Sequence, residues 1–87
     1  MKIIFSSKAL DELASCRASQ PKSAFKVLEL IQDIEKHPFE VMGKPEPLKG
    51  NLKGFWSRRI TDEHRLVYAV QKDEIHVLTC KYHYENV

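Results

Sequence analysis

Between residues 24 and 34 the apolar positions Ala24, Val27, Leu28, Ile31 and Ile34 recur at i, i+3, i+4, i+7. Lys26, Glu29, Asp33 and Lys36 occupy the opposite side, which is the pattern of an amphipathic helix lying on a core. Gln20-Pro21 opens this helix, because proline fits a first turn, and His37-Pro38 closes it, because the residue before proline leaves the helical region. A shorter helical pattern precedes it. Ala9, Leu10, Leu13 and Ala14 share one side of a helix beginning near Ser7, with Ser7 as cap and Asp11 and Glu12 near the positive end of the dipole. Before that, the apolar burst Lys2 to Phe5 reads as a short strand.

The period changes after Pro38. Pro38 to Gly54 is punctuated by Gly43, Pro45, Pro47, Gly50 and Gly54, so any strand in it is short or at an edge, where a missing amide donor does no harm. Three strand runs follow, Phe55–Ile60, His64–Val70 and Ile75–Tyr84, with turns at Thr61-Asp62-Glu63 and Gln71–Glu74. The order β-α-α followed by an antiparallel β-meander predicts an α+β domain over residues 1-87, with the helices on one sheet face and the other face open. In the middle strand Leu66, Tyr68 and Val70 form the more apolar set and meet the helices, leaving Arg65, Val67 and Ala69 on the open face. A three-residue loop at Thr61-Asp62-Glu63 puts Arg59 directly across from Arg65; a two-residue loop would part them. Like charges in register repel, so the pairing suits an anion between them. His83 shares parity with Lys81 and Thr79 and joins that face if the register holds.

Composition bounds the function without choosing it. The chain has 87 residues, 43% hydrophobic and 30% charged, enough for one modest core. No apolar run approaches the ~20 residues of a membrane span, and the N-terminal burst is too brief for a signal peptide core, so a cytoplasmic protein is expected. Net charge is only +2, but Lys44, Lys49, Lys53, Arg58, Arg59 and Arg65 crowd 44 to 65, against Glu46, Asp62 and Glu63. Such a concentration around turns and strands suits a polyanion, though solubilising charge explains it equally well. Cys16 and Cys80 fit no metal spacing and read as free thiols packed as small apolar groups. His37, His64, His76 and His83 lack a zinc-like grouping, so neither metal nor cofactor is expected.

Glu46, Arg59, Arg65, His83 and Tyr84 together supply what metal-free RNA cleavage needs. RNA carries its own nucleophile, the 2′-OH; a base takes its proton, cations stabilise charge on the phosphoryl oxygens, and an acid protonates the departing 5′-oxygen. Glu46, stiffened by flanking prolines, is the candidate base. Arg65, helped by Arg59, is the candidate phosphate clamp, a task that suits guanidinium forks. His83 is the candidate acid, since imidazole titrates near neutrality. Lys49 and Tyr84 are candidates to orient substrate. Each residue has an ordinary reading beside this one. Glu46 would be a solvated loop carboxylate, Arg65 a surface partner of Asp62 or Glu63, and His83 a surface histidine. Arg58 and Arg59 are adjacent and point oppositely, so one reads as a salt-bridge partner at the sheet edge. His64 and His76 read as structural, and Trp56 and Tyr68 as packing.

Gly43-Lys44-Pro45-Glu46-Pro47-Leu48-Lys49, Phe55-Trp56-Ser57-Arg58-Arg59-Ile60, His64-Arg65-Leu66-Val67-Tyr68-Ala69-Val70 and Tyr82-His83-Tyr84 closely resemble the YoeB toxins of the RelE superfamily, from bacterial toxin–antitoxin pairs. The resemblance spans about half the chain. It implies a RelE-like microbial-ribonuclease fold and a metal-independent endoribonuclease that enters the ribosomal A site and cuts mRNA. It carries the base, phosphate-binding arginine and acid onto Glu46, Arg65 and His83, with Arg59, Lys49 and Tyr84 in support. It further implies a YefM-like antitoxin as partner, operator DNA bound only through the antitoxin complex, and a possible homodimer. The alternative is a superfamily member that acts by protein binding without catalysis. Two features depart from the family. Glu85-Asn86-Val87 follow the His-Tyr pair that commonly ends these chains, and residues 8 to 20 lack the usual aromatic-rich first helix.

Overall fold

The computed structural model describes residues 1–39 and 43–81. Strand β1 (Lys2–Phe5) is followed by helices α1 (Ser7–Ser19) and α2 (Pro21–Lys36), strand β2 (Glu46–Pro47), a 3-10 turn (Gly50–Leu52), and strands β3 (Trp56–Arg59), β4 (Arg65–Gln71) and β5 (Glu74–Thr79). The strands form one mixed sheet in the order β1-β5-β4-β3-β2. The meander β3-β4-β5 is antiparallel as expected, whereas β1 crosses to the far edge and pairs in parallel with β5. The proline-flanked β2 takes the opposite edge, where Pro47 has no second neighbour to serve.

Ser6, rather than Ser7, caps α1. Its Oγ accepts from the Ala9 amide at 3.0 Å and donates to the Leu78 carbonyl at 2.7 Å, so one hydroxyl ends β1, starts the helix and ties both to β5. Pro21 opens α2 at its first turn, and the His37 amide closes it on the Asp33 carbonyl at 2.7 Å. The core joins Val27, Leu30, Ile31 and Ile34 of α2 to Leu66, Tyr68, Ile75 and Val77 of the sheet, with Ala9 the only buried residue of α1. Leu28, expected inside, is exposed, and Leu30 takes its place. The buried arc centres on Val27, Ile31 and Ile34; Leu28 lies about 100° round the helix from Val27, past its margin. Leu10 is exposed for the same reason relative to Ala9.

Leu66 and Tyr68 face the helices, as the alternation requires, and are fully buried. The other face is not open throughout: Ser57, Val67 and Ala69 are buried on it, and exposure is concentrated toward Glu46 and Arg59. A bulge interrupts the β4–β5 ladder, where Val67 faces Thr79 but Tyr68 faces Val77. The extra β5 residue, Leu78, is accommodated there as a bulge. Thr79 keeps the alternation of Ile75 and Val77 on the helical side, where its hydroxyl donates to Glu12 of α1 at 2.6 Å. The described strand ends at Thr79, and residues 82 to 84 of the expected run lie outside the described residues.

Candidate active site

Pairing register assembles one half of the predicted constellation. Glu46 stands opposite Ser57, Ser57 opposite Val67, and Arg59 opposite Arg65. Glu46, Ser57, Arg59, Arg65 and Val67 thus share the sheet face away from the helices. Adjacent strands lie ~4.8 Å apart and same-face neighbours along a strand ~6.7 Å, which sets the Glu46 and Arg65 backbones roughly 12 Å apart on that face. The β3–β4 connection puts the Ile60 amide on the His64 carbonyl at 3.0 Å, leaving Thr61-Asp62-Glu63 as the loop that keeps both arginines on one face.

The two guanidinium groups are held differently. Arg65 Nη1 donates to the carbonyls of Thr61 at 2.6 Å, Asp62 at 3.2 Å and His64 at 3.1 Å. These neutral acceptors orient the fork without neutralising its charge. Arg59 reaches toward Asp62 across 3.8 Å, with both side chains well exposed, so this pair yields readily to a stronger anion. The turn beneath them is internally braced, the Thr61 hydroxyl accepting from the Glu63 and His64 amides at 3.2 and 3.0 Å.

Glu46 is exposed on β2. Beyond it Leu48 continues the ladder by donating to the Phe55 carbonyl at 2.9 Å, and Lys49 stands exposed before the 3-10 turn. Lys44 and Lys53 are exposed on the same run of chain. At the upstream end the Arg59 amide donates to the Gly43 carbonyl at 2.7 Å. Gly43 adopts φ +77, and a Cβ there would come within 2.9 Å of Leu30 Cδ2 and 3.2 Å of Arg58 Cβ, so the segment presses close against α2 and β3.

His83 and Tyr84 lie outside the described residues. Thr79, which by sequence parity shares the expected open face with His83, turns toward α1. Among the other histidines, His64 is buried beside Glu63 at 3.6 Å and His76 meets Glu74 at 2.9 Å, both within the turn-and-strand framework. Cys80 packs in the core, its Sγ directed to the Ala9 carbonyl at 3.4 Å; burial pushes its thiol up to about 12, with the Glu12 carboxylate adding to the shift. Cys16 is half-buried and also unbridged.

Arg58 corrects the sheet-edge expectation. It is the inward member of the arginine pair and is completely buried. Its Nη1 meets Asp33 of α2 at 2.5 Å, its Nη2 donates to the His37 carbonyl, and its Nε donates to the Tyr68 hydroxyl at 3.1 Å. Tyr68 in turn donates to the Pro38 carbonyl at 2.8 Å, and burial raises its phenol against the lowering effect of Arg58. The alternation of β3 signalled that one of the two arginines points inward; nothing local named its partner, 25 residues away.

The family model for the YoeB-like toxin of bacterial type II toxin-antitoxin systems matches residues 5–84, which includes every candidate site residue. The chain belongs to this family. Toxin YoeB of Escherichia coli strain K12 is 51% identical over 84 residues, covering 97% of this chain and 100% of the relative. A YoeB/ParE toxin from Agrobacterium tumefaciens superposes with a TM-score of 0.93 at 38% identity, covering 97% of this chain and 100% of the other. YoeB of Staphylococcus aureus, solved as a YoeB–YefM complex and as a dimer, superposes with TM-scores of 0.89 and 0.90 at 42% identity, covering 97% of this chain and 98% of that one. The YoeB-like match ends at Tyr84, short of Glu85-Asn86-Val87. It takes in α1, so the missing aromatics of residues 8 to 20 leave the family fold in place.

Proposed function

We propose that this YoeB-like toxin is a ribosome-dependent endoribonuclease that cuts mRNA in the A site and thereby stops translation. The observation that carries the reading is the register-enforced placing of Glu46, Arg59 and Arg65 on one sheet face, within a chain of this toxin family. In the proposed reaction Glu46 accepts the 2′-OH proton as O2′ bonds to phosphorus. Arg65, its fork pre-oriented by turn carbonyls, takes up the charge growing on the phosphoryl oxygens, and Arg59 exchanges Asp62 for the phosphate. The P–O5′ bond breaks as His83 supplies the proton for the departing oxygen, leaving a 2′,3′-cyclic phosphate. No metal takes part in this scheme. Lys49 and Tyr84 orient the strand.

By analogy with the Staphylococcus aureus complex and dimer, the partners are a YefM-like antitoxin and, in the free toxin, a second copy of the chain. Operator DNA is reached only through the antitoxin complex. The site of action is the cytoplasm; among the described residues no helix is long and apolar enough to cross a membrane. The test compares wild type with His83→Gln in cell-free translation while mapping mRNA 3′ ends. Codon-phased cuts from wild type alone are expected. Equal inhibition by both proteins without cuts overturns the nuclease in favour of a toxin that acts by binding.

A further inference from the structure

Three consecutive residues leaving α2 are each gripped by the helix-facing side of the sheet. The His37 carbonyl accepts from Arg58, the Pro38 carbonyl accepts from Tyr68 at 2.8 Å, and the Phe39 ring packs against Trp56, tilted by 40° with centroids 4.8 Å apart. Arg58 and Tyr68 are fully buried and bonded to each other. Four residues beyond Phe39 the chain is caught again, on the Arg59 amide at Gly43, and three residues later it presents Glu46.

The ladder that holds Glu46 is thin. β2 has two residues, and Pro45 and Pro47 contribute no amide donors. A carboxylate on so short an edge strand keeps its place only if the ends of its segment are fixed. We propose that Arg58 and Tyr68 are positioning residues for Glu46. They are not catalytic themselves, but their grip on residues 37 to 39 sets where the segment carrying the base meets β3. This rests on the role given to Glu46 above. The geometry gives β3 two tasks from adjacent positions, Arg59 facing the phosphate and Arg58 tethering the loop that brings the base to it.

The experiment uses the full chain with Tyr68→Phe, which deletes only the hydroxyl joining Arg58 to Pro38. Phe39→Ala, at an exposed ring, serves as a milder second variant that keeps the buried network. Each is measured for single-turnover cleavage on programmed ribosomes, apparent KM, circular dichroism, and hydrogen exchange at the Arg59 and Leu48 amides. The expected result is a ~10- to 100-fold lower cleavage rate at unchanged KM and retained fold, the size of effect that a small misplacement of a reacting group gives. Exchange at both amides should quicken, more for Tyr68→Phe than for Phe39→Ala. In a Glu46→Gln background the same changes should cost nothing further, since they act through the base already removed. Wild-type rates with wild-type exchange would overturn the proposal, and so would losses that multiply with Glu46→Gln, which would mark a general weakening. Should wild type itself cut no mRNA, the nuclease reading falls. Unaltered exchange in the variants would then remove the tether as well, whereas quickened exchange would support it.

Discussion

Arg58 and Arg59 are the same residue type at consecutive positions, and they sit in opposite worlds. Arg58 has no solvent exposure and bonds Asp33, the His37 carbonyl and Tyr68. Arg59 is about half exposed and, among the described residues, its side chain faces Asp62 at 3.8 Å. Strand alternation is the cause, since successive side chains must leave a sheet on opposite faces. One face is covered by α2 and desolvates its guanidinium, which then requires a full set of acceptors. The other leaves its guanidinium wet and weakly engaged, as a group must be if it is to take a substrate phosphate. One strand thus carries a structural cation and one proposed above to meet the phosphate, and only the helix laid across it tells them apart.

The largest effect that would break this contrast is Arg58→Ala. Removing it takes the cation from the largely buried Asp33 carboxylate and a donor from the Tyr68 hydroxyl that holds Pro38, and the expected loss is about 3–5 kcal/mol of stability in denaturant melts. A loss under about 1 kcal/mol would mean that α2 holds without it. Next is Arg65→Ala, which should leave the melt within about 1 kcal/mol of wild type while lowering mRNA cleavage ~100- to 1000-fold, the cost of deleting one donor to a developing oxyanion. Unfolding of that variant would move Arg65 to the structural side of the comparison.

The helical side offers a further check, by pH. The Cys80 thiol is held protonated up to about 12, against 9.0 for a free thiol, and the Tyr68 phenol is also raised. Above pH 9 the unfolded chain gives up the thiol proton that the native chain keeps, so it binds fewer protons and stability falls as pH rises. The slope approaches about 1.4 kcal/mol per pH unit for Cys80 alone, steepening as the phenol joins. The stabilisation is fully present below pH 9 and is lost through about 12; Cys80→Ala should flatten the first part of a denaturation series in pH. The smallest effect is Arg59→Ala on stability, less than about 0.5 kcal/mol, because its pair is exposed on both sides. If Arg59→Ala cleaves mRNA as wild type does, Arg59 leaves the site and Arg65 holds the phosphate alone.

Much of this molecule was legible in order of residues. The 3.6 period placed α2, Pro21 and His37-Pro38 bounded it, and the prolines around Glu46 consigned β2 to an edge. A three-residue loop at Thr61-Asp62-Glu63, one of two lengths the sequence left open, sets Arg59 across from Arg65. These features are local; they follow from backbone geometry and the steric habits of proline within a few residues. The parallel docking of β1 on β5, the bulge at Leu78, and the exchange of Leu28 for Leu30 in the core belong to the assembled fold. So does the choice of Arg58 over Arg59 as the buried cation. None of these is written in a window of neighbours, because each depends on which distant surface arrives to exclude water. For Arg58 that surface is Asp33 on a helix 25 residues away, and desolvation, once imposed, decides which arginine must be satisfied and which remains free to bind.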